Sequence, residues 1–516
     1  MLLTERCLTS RIEWITVPKN NHRFENISSD AKDLTKKGVI IIMCHSYITP
    51  NDTVGANDSE SIQRAVNLAK ERGVNKVVIP RINSRTGEAR WEISATVRLP
   101  SDITVILDDC FMQMADEVVG GFFCSDNLFT SRGTSPEHRM SNITIKGEGH
   151  AVLDGGNPTG LSEKTQNDIG FPVRLNTPIF FMNVTGFSVQ NISITNQRYW
   201  GMRFQFCDRG IIRDIFFSVK RDRFNQDGIN LRNGCHDILI ENIFGQTGDD
   251  MIALSAIDTD KKVGFNADYP LIVEGLPWDI HDVTIRNVSG AAIRHPLVAM
   301  RNHNGAKLYN ISIENLRDTE MITEAENDNY ERYALVAIGG NSYAGIRFAE
   351  MGETHDISIR TLHAQYSVRA INVQSVIKNL DVSDVHASGV CRTVIATSPD
   401  GWANSKSGVK IENLSIKSVY FTPSDGERSK VLDFGGMREG DYIKNLSVDD
   451  AYLENVKCFA VIDEITELAD IKQGRIYTDS ASSLEVCRRV HYDDTPKEIR
   501  GGVWLVNGVE TKEIDM

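Results

Sequence analysis

The amino-acid sequence predicts an all-β chain, a right-handed parallel β-helix with an N-terminal capping helix. Three observations support this prediction. A short unit, an Asn or Asp followed by alternating β-forming residues, recurs along most of the 516 residues. Several successive units lie 23 residues apart, for example at 191, 214 and 237, which is typical of stacked coils. The one clear helical pattern precedes the repeat, where a helix can cover the end of the stack.

Residues 1–54 are predicted to form an extension with little pattern beyond an apolar segment at 39–43. A helical pattern begins after residue 55. Asp58 or Ser59 can cap its start and Gly73 can end it. Its apolar positions are Ile62, Ala65, Val66 and Ala69. Because only short β-forming segments follow, the helix is expected to cap an all-β body.

The repeat units differ in spacing but share one signature. They begin at Asn142, Asn191, Asp214, Asp237, Asp282, Asn310, Asp356, Asn379, Asn413 and Asn445. The step of 49 residues from 142 to 191 is close to two coils, and the 45 from 237 to 282 fits two coils or one with an insertion. Leucine-rich repeats are the alternative, but they need regular Leu and a helical half-repeat. Polar turns with Asn and Gly, which tolerate positive φ, favour the β-helix.

Three segments interrupt the period, at residues 258–279, 319–332 and 398–407. In a β-helix such insertions project from the coil corners and can form the walls of a groove. The repeat fades near residue 461. Residues 55–460 are therefore predicted to be the β-helix domain, and residues 461–516 a capping segment that protects the last sheet edge.

Composition narrows the class of protein. With 41% hydrophobic and 24% charged residues the chain is expected to fold around a large core. Its nine cysteines include no Cys-x-x-Cys pair, which argues against a disulfide framework and structural zinc. The formal net charge of −14 argues against a nucleic-acid partner, and no apolar run suits a membrane span. The N-terminus lacks a signal-peptide pattern, so a cytoplasmic location is predicted, and an oligomer is possible.

Residues 224–254 contain the candidate chemistry. Asp227 lies in the turn Asn225-Gln226-Asp227-Gly228, and Asp249 and Asp250 follow Gly248. Each acidic turn precedes a short alternating strand pattern. Asp227 and Asp250 are 23 residues apart, which is one coil, so the three carboxylates are predicted to lie on one face.

Carboxylates arranged in this way fit glycoside hydrolysis, which needs one protonated and one ionised carboxyl group beside the bond. Neighbouring coils lie about 4.8 Å apart, so acids one coil apart can reach the required separations. Three close carboxylates cannot all ionise freely, and one is expected to keep a proton. The alternative is that both segments are ordinary turns, in which a solvated Asp has no chemical role. Their occurrence one coil apart favours the catalytic interpretation.

Residues 191–254, with 177–181, resemble the core of glycoside hydrolase family 28, the polygalacturonase family, and segments 55–80 and 147–156 also resemble family features. The resemblance implies an inverting hydrolase of pectin-type substrates that uses no metal or other cofactor. It assigns the general acid to Asp249. Asp227 and Asp250 would hold and activate the water, and Asn225 would orient that site.

Two further family motifs are altered. The family's Gly-His-Gly turn corresponds to Arg294-His295-Pro296, which places His295 at the family histidine, with His303 as a weaker alternative. The family's Arg-Ile-Lys strand, which grips the sugar carboxylate, falls near residues 333–338, where no basic residue occurs. The predicted substitutes for its two basic residues are Arg294, Arg301 and Arg347.

The sequence therefore predicts an inverting, exo-acting glycoside hydrolase whose partner is a pectin-type oligosaccharide or polysaccharide. Two alternatives share the fold. One is a tailspike-like β-helix that binds glycan. The other is a polysaccharide lyase or epimerase, although a lyase usually needs calcium or a Lys or Arg base, which the three acids do not suggest.

Overall fold

The structure is a computed structural model, and the description below concerns the residues it defines. These are 13–15, 40–42, 47–128, 130–157, 173–219, 225–257, 273–321, 332–339, 347–397, 408–435, 437, 440–463, 467–470, 472–482, 485–492, 495–500, 504–506 and 509–511. The predicted insertions at 258–279, 319–332 and 398–407 lie largely outside them.

One α-helix, α1 (Asp58–Glu71), occurs among the described residues. Its N-cap is Asn57, whose side chain accepts a hydrogen bond from the backbone N–H of Glu60 at 2.9 Å, so the predicted caps Asp58 and Ser59 are displaced by one and two residues. The predicted apolar positions of the helix are fully buried in the core shared with the first coils. The helix thus closes the N-terminal end of the apolar interior, as expected.

Two long parallel sheets form the body of the molecule. The first, named the outer sheet, contains β3 (Lys76–Pro80), β4 (Trp91–Ile93), β6 (Ile103–Asp108), β7 (Phe111–Met114), β9 (Met140–Glu148), β10 (Val152–Asp154), β12 (Val184–Thr195), β14 (Asp208–Ser218), β16 (His236–Thr247), β18 (Ile280–Ala292), β20 (Leu308–Asp318), β22 (Thr354–Ala364), β24 (Ile377–Gly389), β26 (Lys410–Pro423), β28 (Tyr442–Leu453), β30 (Glu467–Ala469), β31 (Lys472–Gln473) and β32 (Ile476–Thr478).

The second, named the groove sheet, contains β5 (Val97–Leu99), β8 (Phe123–Ser125), β11 (Ile179–Met182), β13 (Met202–Gln205), β15 (Ile229–Arg232), β17 (Ile252–Ile257), β19 (Val298–His303), β21 (Arg332–Gly339), β23 (Ser367–Gln374), β25 (Thr393–Ala396), β27 (Lys430–Phe434), β29 (Cys458–Asp463), β33 (Glu485–Tyr492) and β34 (Thr495–Arg500). Its strands are parallel until β34, which is antiparallel to β33. Two antiparallel pairs lie outside both sheets, β1 (Glu13–Ile15) with β2 (Ile40–Ile42) and β35 (Trp504–Val506) with β36 (Val509–Thr511).

From β11 to β29 successive coils contribute one strand to each sheet, and the predicted fold class is confirmed. Apolar side chains from both sheets fill one continuous interior. No described helix is long and apolar enough to cross a membrane. Parallel pairing continues through β32 and β33, so the coil stack runs past the boundary predicted at residue 460.

The Asn/Asp signature has a conformational cause. Asn191, Asp214, Asp237, Asp282 and their counterparts adopt positive φ values of 53–62°, the left-handed region that Asn and Asp tolerate best. In several outer-sheet strands a second such residue follows five positions later, as at Asp237 and Asn242. These residues bend each long strand, so that the strand can follow the corner of a coil.

The register settles the two uncertain steps of the repeat. Strand β16 pairs directly with β18, so the step from 237 to 282 is one coil with an insertion. Strand β9 pairs directly with β12, with Ile143 opposite Phe187, so the step from 142 to 191 is one enlarged coil of 44 residues plus five residues along the strand, and the estimate of two coils was wrong. The insertion enlarges the distance in sequence without adding a strand pair.

Candidate active site

The three predicted acids lie at the N-terminal ends of two neighbouring groove-sheet strands. Asp227 and Asp250 each precede a strand by two residues, and β15 pairs with β17 so that Ile229 is opposite Ile252. The two carboxylates therefore occupy one column, a coil apart, or about 4.8 Å along the axis. The stacking predicted from the 23-residue offset is present in the structure.

Backbone hydrogen bonds lock the two acidic turns together. The Gly228 N–H donates to the Asp250 carbonyl at 2.9 Å, and the Ile229 N–H donates to the Met251 carbonyl at 2.8 Å. A Cβ at Gly228 would lie 2.4 Å from the Met251 carbonyl oxygen and 2.9 Å from the Phe217 ring. Only glycine allows this approach, which fixes the carboxylates on both coils.

Asp249 is held by donors from both coils. Its Oδ2 accepts from the backbone N–H of Asn225 at 2.9 Å, and its Oδ1 accepts from the backbone N–H of Asp250 at 2.8 Å. The Nδ1 of His295, on the next coil, lies 3.1 Å from the same Oδ1. Asn225 thus acts here through its backbone, at a φ of 64°. His295 reaches the acids, as its alignment with the family histidine predicts.

Asp250 is paired with a cation. The Nη1 of Arg301 lies 2.9 Å from its Oδ2, and both side chains are largely buried. The Oδ1 atoms of Asp250 and Asp227 accept no hydrogen bond from the described residues. Each is therefore a buried acceptor without a protein partner among the described residues, which a bound water molecule could satisfy.

Burial and crowding favour protonation of two of the acids. Burial, and then the charges of Asp249 and Asp250, raise the pKa of Asp227 well above its usual range, against the opposing effects of Asn230 and Arg301. Burial also raises the pKa of Asp250, where Arg301 is the largest opposing influence and Asp249 adds to the rise. Protonation is favoured most strongly at Asp227, which has no cation within ion-pair distance among the described residues.

The other predicted ligands lie at differing distances from the acids. Arg294 is exposed next to His295, at a φ of 64°. His303 is paired with Ile257, seven residues beyond Asp250 along the strand direction, or on the order of 20 Å away. Arg347 forms ion pairs with Glu350 at 2.8 Å and Glu353 at 2.7 Å near that far edge. The structure thus joins His295 and Arg301 to the acids, but neither His303 nor Arg347.

The position of the missing Arg-Ile-Lys strand is occupied by small residues. Ala253, Ala299 and Ala337 are mutually paired on β17, β19 and β21, and none belongs to the apolar core. They form an uncharged floor on the coils that follow the acids. Arg332, the first residue of β21, is buried and paired with Asp318 at 3.3 Å, so it does not take the place of that motif.

Two arginines beside the acids were not predicted. Arg203 and Arg232 lie on β13 and β15, and their guanidinium groups lie 5.1 and 5.5 Å from the Trp200 ring centre. Tyr199 is buried against the same indole, with ring centres 5.0 Å apart. The signal in the sequence is the alternation of Met202-Arg203-Phe204 and of Leu231-Arg232. It places both arginines on the strand face that points away from the core.

A divalent ion is chemically possible at this site. Ligand atoms of Asp249, Asp250 and His295 lie within 4.8 Å of one another. The same atoms also serve the protein's own contacts, because His295 faces Asp249 and Arg301 faces Asp250.

Comparison with known families points to the same segment. Residues 131–267 match the family described as glycosyl hydrolases family 28, and the match contains Asn225 and all three acids but not His295 or Arg301. The resemblance to family 28 is confirmed. The family 28 segment thus spans β9 to β17 and ends just before the coil that supplies the histidine and the arginine. No curated protein matches the chain.

Similar solved structures include two enzymes and one phage protein. The family 28 exopolygalacturonase of Yersinia enterocolitica is 13% identical, over 89% of this chain and 81% of that one, with a TM-score of 0.41. The hyperthermoactive exopolygalacturonase of Thermotoga maritima is 14% identical, over 91% and 94%, with a TM-score of 0.43. The tailspike of E. coli bacteriophage HK620, solved with a pentasaccharide, is 12% identical, over 88% and 83%, with a TM-score of 0.44.

Proposed function

We propose that this chain is an inverting, exo-acting glycoside hydrolase of pectin-type oligosaccharides. The observation that supports this most strongly is the column of Asp227 and Asp250 beside Asp249, inside the segment that matches family 28. Paired carboxyl groups in two protonation states are what glycosidic cleavage requires. The ion pair of Asp250 with Arg301 and the raised pKa of Asp227 support such a division.

In the proposed reaction Asp249 and Asp227 each carry a proton when the substrate binds. Asp249 donates its proton to the glycosidic oxygen as the bond to the anomeric carbon breaks. A water molecule attacks that carbon from the opposite face. Asp250, kept ionised by Arg301, accepts the proton of the water. Asp227, still protonated, donates a hydrogen bond that orients the water. His295, 3.1 Å from Asp249, positions the donor carboxyl group.

A reducing-sugar assay tests the proposal. Galacturonan, rhamnogalacturonan and neutral pectic oligosaccharides are each incubated with the wild-type protein and with Asp249→Asn. We expect release from at least one substrate and a fall of roughly 10²- to 10⁴-fold in the variant. Asp214→Asn is the matched control, because Asp214 lies at an outer-sheet corner where other coils carry Asn.

Two outcomes would contradict the proposal. If no substrate releases reducing sugar while a glycan still binds, the chain is a binding β-helix. If the product absorbs in the ultraviolet as an unsaturated sugar, the reaction is elimination and the enzyme is a lyase. Release that is equal in Asp249→Asn and wild type would remove Asp249 from the donor role.

A further inference from the structure

Arg369 lies on the groove sheet in the same column as the two stacked acids. The register runs from Ile252 through Val298 and Val336 to Ile371, and Ala334 is paired with Arg369. Arg369 therefore stands two residues before Ile371, as Asp250 stands two residues before Ile252. Three coils separate them, or about 14 Å along the axis.

The local contacts of Arg369 hold its side chain in place without neutralising it. Its guanidinium carbon lies 4.9 Å from the ring centre of Tyr333, and the side chain is partly exposed. The Tyr333 hydroxyl in turn hydrogen-bonds the buried side chain of Asn372. A planar cation stacked on a fixed aromatic ring is pre-organised, because fewer rotamers are lost when an anion binds.

The charge of Arg369 has no carboxylate counterpart within ion-pair distance among the described residues. Three other arginines of this region are each paired: Arg301 with Asp250, Arg332 with Asp318 and Arg347 with Glu350 and Glu353. A guanidinium group stays ionised at any relevant pH and offers a forked set of donors that matches a carboxylate. Arg369 thus presents an unneutralised fork on the face that carries the acids.

We infer that Arg369, stacked on Tyr333, binds the carboxylate of an acidic sugar several units from the bond that is cut. This inference rests on the proposed function and names a specificity subsite for it. On the two coils between Asp250 and Arg369, the column is occupied by the uncharged residues Pro296 and Ala334, and Ala299 and Ala337 lie three residues further along each strand. The charge of that distant sugar is therefore bound about 14 Å from the acids.

The test compares Arg369→Gln with Arg360→Gln. Arg360 is an exposed arginine of the same coil on the outer sheet, so both variants lose the same charge. Each is assayed on an acidic galacturonate oligosaccharide and on its methyl ester. For Arg369→Gln we expect KM to rise roughly 10- to 100-fold on the acid alone, with kcat changed less than about threefold. Arg369→Lys should recover part of the loss.

The two proposals fail in different ways. If wild type cleaves the acid and Arg369→Gln has the same KM as Arg360→Gln, the subsite is wrong while the hydrolase stands. If wild type cleaves nothing, the hydrolase is wrong, and calorimetric binding of the same oligosaccharide decides the subsite. Equal affinity in wild type and Arg369→Gln would then overturn it, whereas weaker binding in that variant alone would support it. Circular dichroism and thermal unfolding exclude misfolded variants.

Discussion

Asp227 is a buried carboxylic acid between two other acids. Burial and the neighbouring charges raise its pKa well above the usual range, so the folded chain binds more protons here than the unfolded chain does. Below the unfolded pKa of about 3.9 both states are protonated and the residue costs no stability. As the pH rises from there towards the folded pKa, only the unfolded chain ionises, and stability falls.

Asp227→Asn should remove this loss. We expect the thermal midpoint of the variant to match wild type near pH 4 and to exceed it increasingly towards pH 8. Sugar release should fall less than in Asp249→Asn, because the amide still offers a hydrogen-bond donor to the water although it does not reproduce the geometry of the carboxylic acid. Scanning calorimetry across this pH range measures the first effect. A variant that is less stable than wild type at pH 8 would contradict the burial argument.

Arg301 is expected to keep Asp250 ionised. Removing one partner of a buried pair leaves the other charge uncompensated, at a cost of about 3–5 kcal/mol. Arg301→Gln should therefore raise the pKa of Asp250 further. In a plot of kcat against pH, the rise on the acidic side should then move to higher pH. Activity at neutral pH should fall at least roughly tenfold and recover in part in alkaline buffer.

Arg301→Lys supplies the control for that experiment, because it keeps the charge and loses only the guanidinium geometry. Its acidic limb should stay near that of wild type. A profile for Arg301→Gln that drops uniformly without moving along the pH axis would show that Arg301 does not control the ionisation of the base.

Much of the residue-level site was predictable from the sequence. The turn sequences around Asp227 and Asp250 identified both residues as candidate catalytic acids. Their 23-residue offset predicted that they lie on neighbouring coils. The pairing of Arg301 with Asp250 was not predictable, because it joins residues 51 positions apart, where an insertion sets the coil length. His303 and Arg347 show the same difficulty, since proximity in sequence to His295 did not bring them to the acids.

At the scale of elements, ladders of amide side chains support the corners of the outer sheet. The Nδ2 of Asn413 donates to the Oδ1 of Asn379 at 2.6 Å, and Asn445 donates to Asn413 at 2.8 Å. Each of these residues has a positive φ, 62° at Asn413. One side chain thus satisfies a backbone requirement and links three coils.

Asn413→Ala and Asn413→Gly separate these two contributions. Both variants lose the ladder hydrogen bonds, but only alanine also bears the cost of a left-handed backbone, about 1–2 kcal/mol. We expect Asn413→Ala to be the less stable of the two by about 1 kcal/mol in urea unfolding, after the greater chain entropy of glycine is considered. Equal stability would indicate that the corner relaxes out of its positive φ.

The elements themselves were predicted well where apolar alternation and Asn or Asp coincided, as in β12, β14 and β16. The step from 142 to 191 was assigned to two coils because its length in sequence includes inserted residues that form no additional coil. Pairing is decided instead by inward apolar positions, and Ile143 lies opposite Phe187. The N-cap of α1 is Asn57 because its side chain accepts a hydrogen bond from the first turn of the helix. The Asp58 carboxylate instead accepts hydrogen bonds from Arg85 and from the backbone N–H of Glu92.

For the molecule as a whole, the proposed reaction uses no metal. Prolonged chelation with EDTA should leave sugar release within roughly twofold of the untreated protein, since the ion pair and hydrogen bonds already described orient the acids. A large loss that is reversed by one divalent cation would instead assign Asp249, Asp250 and His295 as its ligands. The oligomeric state and the cytoplasmic location stay predictions.

The stereochemistry of cleavage tests the proposed inverting mechanism directly. Proton NMR can follow the anomeric signal of the first sugar released from an oligosaccharide that the wild-type protein cleaves, before mutarotation mixes the anomers. Single displacement by water predicts that the new reducing end appears with the opposite configuration to the bond that was cut. Asp249→Asn should give almost no signal. A product that first appears with retained configuration would contradict single displacement by water and require a covalent intermediate on one of the three acids.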